Sequence, residues 1–269
     1  MIYPNDRPIG VFDSGIGGLT VAKALHNRLP GEDIIYLGDT ARVPYGTKSV
    51  QAVRRYALEC ALFLLNQGVK LVVAACNTVS AVALDRLKEL LRVPIIGVLK
   101  PGASAALQAT SSKRIGVIGT PSTIESGAYR SRLIKLLPDV KVWEKACPLL
   151  VSLSEEGRLD GPIVQMVLEE YLAPLKEKQI DTLILGCTHY PLFRPAIGAV
   201  MGDDVTLVDS AETVATEVED VILREGLLDT SGSGVVRCCV TDVPRQFDEL
   251  GRMFFGEALT SVERVSIDE

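Results

Sequence analysis

The sequence is poor in the patterns that hold metals, cradle phosphates or grip nucleic acid. It has only two histidines, and none of its six cysteines form a CxxC pair, which argues against a zinc ribbon or a thioredoxin-type site. The glycine-rich turn "FDSGIGGLT" (12–20) has glycines at 15, 17 and 18, off the GxGxxG spacing, and no GK[ST] follows it. Nucleotide binding is therefore a weak reading of that turn. Net charge is −6 and the basic residues are scattered, so nucleic acid is not expected as a partner and a small molecule fits better. The most apolar stretch, "ALECALFLLNQGVKLVVAAC" (57–76), is broken by Glu59, Asn66, Gln67, Gly68 and Lys70 and does not read as a membrane span. The start, "MIYPNDRPIG", lacks a basic segment followed by an apolar one, so no secretory leader is expected. Six cysteines without such a leader read as reduced thiols in a cytoplasmic protein.

What is present is a well-packed globular composition, 47% hydrophobic against 23% charged, in a chain of 269 residues. That length accommodates one large domain or two of roughly 100–150 residues. Apolar runs at 8–13, 33–39, 70–76 and 93–99 read as buried strands, with helical patterns at 20–29, 49–68 and 80–91. The pattern then restarts, with strands at 114–120, 140–146, 181–187 and 204–209 and helices at 122–137 and 161–179. A helix at 211–228, a flexible 229–234, a strand at 235–241 and a helix at 244–256 complete the reading. Strand–helix alternation predicts α/β architecture with parallel sheets flanked by helices.

The two halves can be superposed by eye. "PIGVFDS" (8–14) matches "RIGVIGT" (114–120), and "KLVVAACNT" (70–78) matches "DTLILGCTH" (181–189). The two offsets, 106 and 111 residues, differ by five, which suggests duplication. Two pseudo-symmetric α/β units would bring the carboxyl ends of both sheets to a shared cleft, where open α/β sheets bind ligands.

Cys76 and Cys187 end equivalent strands in this scheme. A lone cysteine at a strand end is ordinarily a small buried hydrophobe. Here each sits where an apolar run meets polar residues and a helix start, with Asn77 and Thr78 or Thr188 as candidate N-caps. A helix N-terminus would lower a thiol from about 8.5 towards neutrality. Two weak acid–bases facing one ligand from opposite sides suit inversion of a carbon bearing an ionisable hydrogen. One removes the proton from one face while the other delivers a proton to the opposite face.

Other residues carry weaker signals. Asp13 could hold an ammonium or assist the nearby thiol, and equally reads as a turn-forming Asp–Ser cap. Tyr45 and Gly46 could meet a carboxylate or could simply form a turn after Pro44. Thr120 and Thr123 stand at a helix entrance, a plausible anion site. Glu155 and Glu156 read by default as a solvated acidic loop within 153–161. His189 lacks the spaced partners of a metal ligand and is more credible as a base near a thiol or a cation near a carboxylate. His26 reads as a surface residue of its helix, Cys60 and Cys147 as packing, and Cys238 and Cys239 as structural residues facing opposite sides of a strand.

The motifs "GVFDSGIGGLTV", "GDTARVPYG", "ACNTVSA", "GVIGTPSTIESGAY", "SEEG" and "LGCTHYP" together resemble those of the cofactor-independent glutamate racemases, from about residue 8 to 210. The resemblance implies two α/β domains, 1–99 plus 210–269 and 100–209, with the active site in the interdomain cleft. It implies Cys76 as the acid–base serving D-glutamate and Cys187 as that serving L-glutamate. Asp13 and His189 would assist the thiols, with Asp39 and Glu155 as secondary catalytic candidates. Substrate contacts would come from Asp13, Ser14, Tyr45, Gly46, Asn77, Thr78, Thr120, Thr188 and His189. It further implies no metal or other cofactor, a homodimer in the cytoplasm, and a D-glutamate product that feeds peptidoglycan synthesis. Lys100, the stretch "VSLSEEG" and the strand "VVRCCVTDV" depart from the usual pattern, and Lys100 lies where dimer or interdomain contacts could change. No long N-terminal extension precedes the first strand, so activation by a wall precursor is not expected. The rivals are an aspartate racemase, an acidic amino-acid binding module with inert cysteines, and a thiol redox pair.

Overall fold

A computed structural model of the chain describes residues 6–229, 232–243, 247–256 and 262–267. Two parallel sheets organise these residues. The first is six-stranded and contains β1 (Ile9–Asp13), β2 (Ile34–Gly38), β3 (Leu71–Ala74) and β4 (Ile95–Gly97). The second is four-stranded, made of β5 (Arg114–Gly119), β6 (Lys141–Ala146), β7 (Thr182–Gly186) and β8 (Thr206–Val208). The chain then returns to the first sheet and adds β9 (Val236–Val240) and β10 (Val262–Arg264), giving the order β10-β9-β2-β1-β3-β4. The second sheet runs β6-β5-β7-β8, so the run β2-β1-β3-β4 of the first sheet repeats the topology of the second. The two lobes are pseudo-symmetric, as the internal offsets predict.

Both faces of each sheet are covered, which is why the strands read as continuous apolar runs. Ile9 and Val11 of β1 join one core, and Phe12 joins the core on the opposite face. Leu183 and Leu185 of β7 likewise face away from Ile184. Cys238 and Cys239 divide between the two faces of the first sheet. Cys60 and Cys147 are buried in separate cores.

Three helices escape the sequence reading: Leu99–Ala109, Leu149–Glu155 and Arg194–Met201. The first carries Pro101 and Gly102, residues that ordinarily break helices, but they fall in its first turn, where proline is tolerated. The single helices expected at 80–91 and 122–137 are each two. The first pair is Asn77–Val82 and Leu84–Leu90. The second is Pro121–Glu125 and Ala128–Leu136, separated by Gly127 in the left-handed conformation at φ 61. The loop expected at 153–161 begins as the end of helix Leu149–Glu155, so Glu155 is helical. Of the flexible segment read at 229–234, residues 230 and 231 lie outside the described residues, as do 244–246 of the last helix. His26 is half-buried and packs 6.3 Å from the Phe255 ring, so it is not a free surface residue.

Lys70, just ahead of β3, is fully buried at the end of the sheet away from the strand carboxyl termini. Its ammonium pairs with buried Glu32 at 2.5 Å and donates to the Leu227 carbonyl at 2.8 Å. Glu32 in turn accepts the Asp229 N–H at 2.9 Å, fastening the segment that follows helix Ala211–Arg224.

Candidate active site

The strand carboxyl ends of the two lobes face one narrow pocket, with a cavity volume of about 20 Å³. Cys76 follows β3, Cys187 follows β7, and both line this pocket. Their local settings differ from expectation. Cys76 is itself the N-cap of helix Asn77–Val82, so Asn77 and Thr78 lie inside the helix. Cys187 opens a turn closed by its own carbonyl, which accepts the Tyr190 N–H at 3.2 Å. No α-helix starts at Thr188. A 3-10 turn spans Tyr190–Phe193 before helix Arg194–Met201 begins.

The electrostatics around the two thiols are opposite in sign. Burial, followed by the negative charge of Asp13, pushes the Cys76 thiol up to about 12. The expected fall towards neutrality is therefore reversed, because these effects outweigh the Val79 N–H at the helix start. Asp13 itself is raised by burial, with His189 partly offsetting this. Its Oδ2 accepts the Gly18 N–H at 3.0 Å and the Gly15 N–H at 3.3 Å, so it caps the glycine turn while sitting close enough to act on Cys76.

Beside Cys187 the neighbour is cationic. His189 Nδ1 lies 3.8 Å from Cys187 Sγ, and its Nε2 lies 3.2 Å from Glu155 Oε1. Burial alone would lower this imidazole, but the bonds and charges of Cys187 and Glu155 prevail and raise it to about 10. His189 is thus an imidazolium clamped between a carboxylate and a sulfur. Its ring also meets Phe254 edge-on at 5.4 Å.

Of the residues expected at the site, Ser14, Tyr45, Gly46, Asn77, Thr78, Thr120, Thr188 and His189 line the pocket with the cysteines. Asp13, Asp39 and Glu155 stand behind its wall. Asp39 is buried and accepts hydrogen bonds from Tyr45 Oη and Arg42 Nε on one oxygen and from Thr241 Oγ1 on the other. It holds Tyr45 and stands outside the pocket lining. Glu155 reaches the site only through His189.

Across the cleft, three hydroxyls form a closed triangle. Thr78 Oγ1 lies 2.9 Å from Thr120 Oγ1 and 3.2 Å from Thr123 Oγ1, and the last two are 3.0 Å apart. Thr120 N-caps helix Pro121–Glu125. Gly46 presses against the same threonine, since a β-carbon there would lie 2.4 Å from Thr120 Cβ. Ser122 Oγ donates to the Gly46 carbonyl at 3.0 Å, fixing the loop from the other lobe.

Sequence reasoning missed several residues here. Val43, Pro44 and Val151 complete the pocket wall. Three further buried tyrosines send their hydroxyls to its framework. Tyr36 donates to the Gly15 carbonyl at 2.8 Å, Tyr129 to Asn77 Oδ1 at 2.7 Å, and Tyr190 to the Cys147 carbonyl at 2.8 Å. For Tyr36, a tyrosine inside the apolar run "DIIYLGD" was the available signal, because a buried phenol needs a partner. Among the described residues, no group of three or more His, Cys, Asp and Glu side chains is arranged to hold a metal ion, and no helix is long and apolar enough to cross a membrane.

This architecture has relatives. The family model for Asp/Glu/hydantoin racemases matches residues 10–218. A glutamate racemase of Chlorobaculum tepidum is 50% identical over 265 residues, spanning 98% of this chain and 97% of the relative. The crystal structure of a glutamate racemase from Francisella tularensis in complex with D-glutamate superposes with a TM-score of 0.93 at 43% identity, covering 98% of this chain and 99% of that one. A Thermus thermophilus glutamate racemase in complex with β-chloro-D-alanine superposes with a TM-score of 0.87 at 48% identity, covering 98% of each chain. With two pseudo-symmetric parallel-sheet lobes, a thiol from each in one pocket, and these relatives along nearly its whole length, the chain belongs to the Asp/Glu/hydantoin racemase family and, within it, to the glutamate racemases.

Proposed function

We propose that this chain interconverts L- and D-glutamate by two-base proton transfer between Cys76 and Cys187, without a metal or organic cofactor. The observation that carries the reading is the sharing of one pocket by thiols from equivalent strand ends of the two lobes. The neighbours set the starting state. The His189 imidazolium stabilises negative charge on Cys187, while Asp13 and burial keep Cys76 protonated. The Cys187 thiolate takes the Cα proton of L-glutamate, leaving a carbanion. The Cys76 thiol then protonates the opposite face, and D-glutamate leaves with Cys187 as thiol and Cys76 as thiolate. D-glutamate is processed by the same steps in reverse.

Asp13 assists Cys76, His189 assists Cys187, and Glu155 holds the imidazolium. Asp39 acts through Tyr45. The hydroxyls of Ser14, Thr78, Thr120 and Thr188, the Asn77 amide and the Gly46 backbone supply hydrogen-bond groups for the ammonium and the two carboxylates. Asp13, behind the wall, reaches the ammonium through the field of its charge. The domain limits 1–99 plus 210–269 and 100–209 belong to this reading. They are supported by the crossing from β4 to β5 and by the return after β8. So do a homodimeric, cytoplasmic enzyme and D-glutamate as the product for peptidoglycan synthesis.

Circular dichroism with separate L-glutamate and L-aspartate tests the assignment. Glutamate should be racemised, and Cys76→Ala or Cys187→Ala should each lose at least about 10³-fold in kcat with the fold retained. A strong preference for aspartate overturns the substrate, and saturable glutamate binding without turnover indicates a binding module. Near-normal activity in either variant removes that cysteine from the mechanism.

A further inference from the structure

Asn77 heads the helix after Cys76 and lines the pocket, and its side chain is held from the opposite lobe. Tyr129, on helix Ala128–Leu136, is fully buried and donates its hydroxyl to Asn77 Oδ1 at 2.7 Å. The Asn77 side chain makes no other hydrogen bond among the described residues, so its Nδ2 is free to meet a ligand. A primary amide has an acceptor at one end and two donors at the other, and rotation about its last bond exchanges them. Which end faces the pocket matters when the ligand carries carboxylates, which accept hydrogen bonds and repel a carbonyl oxygen. Burial raises the Tyr129 phenol, so it remains a hydroxyl and keeps its proton for Asn77.

We infer that Tyr129 is a positioning residue for ligand recognition: it fixes the Asn77 amide so that Nδ2 presents its donors to a carboxylate in the pocket. The inference deepens the proposed reading by assigning the residue that orients one substrate donor. The donor is contributed by one lobe and the amide by the other, so the orientation exists only while the two lobes are seated together.

Calorimetric titration with racemic glutamate tests it on wild-type protein, Tyr129→Phe, Asn77→Ala and the double variant, with thermal unfolding measured alongside. Tyr129→Phe retains the ring that fills its core. It should weaken glutamate binding about tenfold, the scale of one net hydrogen bond. In the Asn77→Ala background the same change should have no further effect, because the phenol then has no amide to orient. Unaltered affinity in Tyr129→Phe, or an equal loss in both backgrounds, overturns the inference. Should Tyr129→Phe fail to fold, Asn77→Asp decides. It keeps the acceptor for Tyr129 but replaces the donors with negative charge, and must bind more weakly than Asn77→Ala. Glutamate affinity equal to wild type in that variant also overturns it. The racemisation rate of the wild-type protein tests the proposed reaction separately, since the readout here is binding.

Discussion

The two cysteines look alike in sequence but are differentiated by their immediate neighbours. Cys76 faces an anion, Asp13, and Cys187 faces a cation, His189. His189→Gln removes the charge that steadies a thiolate on Cys187, and should lower kcat/KM by about 10²-fold, within the usual range for acid–base assistance. The loss should be equal for L- and D-glutamate, because the enantiomers have equal free energy and their kcat/KM ratio is fixed. An unchanged kcat/KM, measured by initial rates, contradicts the role. The same residue sets a stability signature. Its folded value near 10 lies above the ordinary 6.5, so its contribution is complete below pH 6.5 and is lost as pH rises towards 10. Thermal unfolding across that window should therefore fall more steeply in wild type than in His189→Gln.

Among the elements, those that carry the site are short. The pocket is built from turns after β1, β3, β5 and β7 and from the loop at 43–46. That loop must approach helix Pro121–Glu125 without a side chain at Gly46. Gly46→Ala places a methyl group 2.4 Å from Thr120 Cβ and should cost about 1–3 kcal/mol in unfolding free energy, with a raised KM. A wild-type KM in this variant would show that the loop can move without harm. Strands β1, β2, β3, β5 and β7 were legible because they are buried on both faces and read as unbroken apolar runs, whereas three-residue, largely exposed β10 was not. The twin thiols were legible because those runs end alike. Helix Leu149–Glu155 was not, since about two turns give little periodicity, and so Glu155 read as part of a solvated loop. The thiol environment was also hidden. Asp13 is far from Cys76 in sequence, and its charge acts only once β1 and β3 pair.

On the scale of the molecule, the chain leaves the six-stranded sheet after β4, builds the second lobe, and returns after β8. The reaction needs that return, because the cleft exists only while both lobes are anchored. At the far end of the first sheet the buried Lys70–Glu32 pair ties β3 to the segment leading into β9. Lys70→Met leaves Glu32 as an uncompensated buried charge and should destabilise the protein by about 3–5 kcal/mol, read by denaturant unfolding. Because this pair lies away from the pocket, KM should hold at temperatures where the variant is folded. A destabilisation below about 1 kcal/mol would mean that the carboxylate finds another partner or becomes protonated.

The most direct measurement of two-base inversion is racemisation of L-glutamate in heavy water, sampled at low conversion with Cα label read in each enantiomer. Two thiols on opposite faces predict that newly formed D-glutamate carries solvent deuterium at Cα while the remaining L-glutamate retains its protium. Product that keeps the substrate's own proton, or label entering unreacted L-glutamate faster than inversion proceeds, would contradict the assignment of separate donors to Cys76 and Cys187.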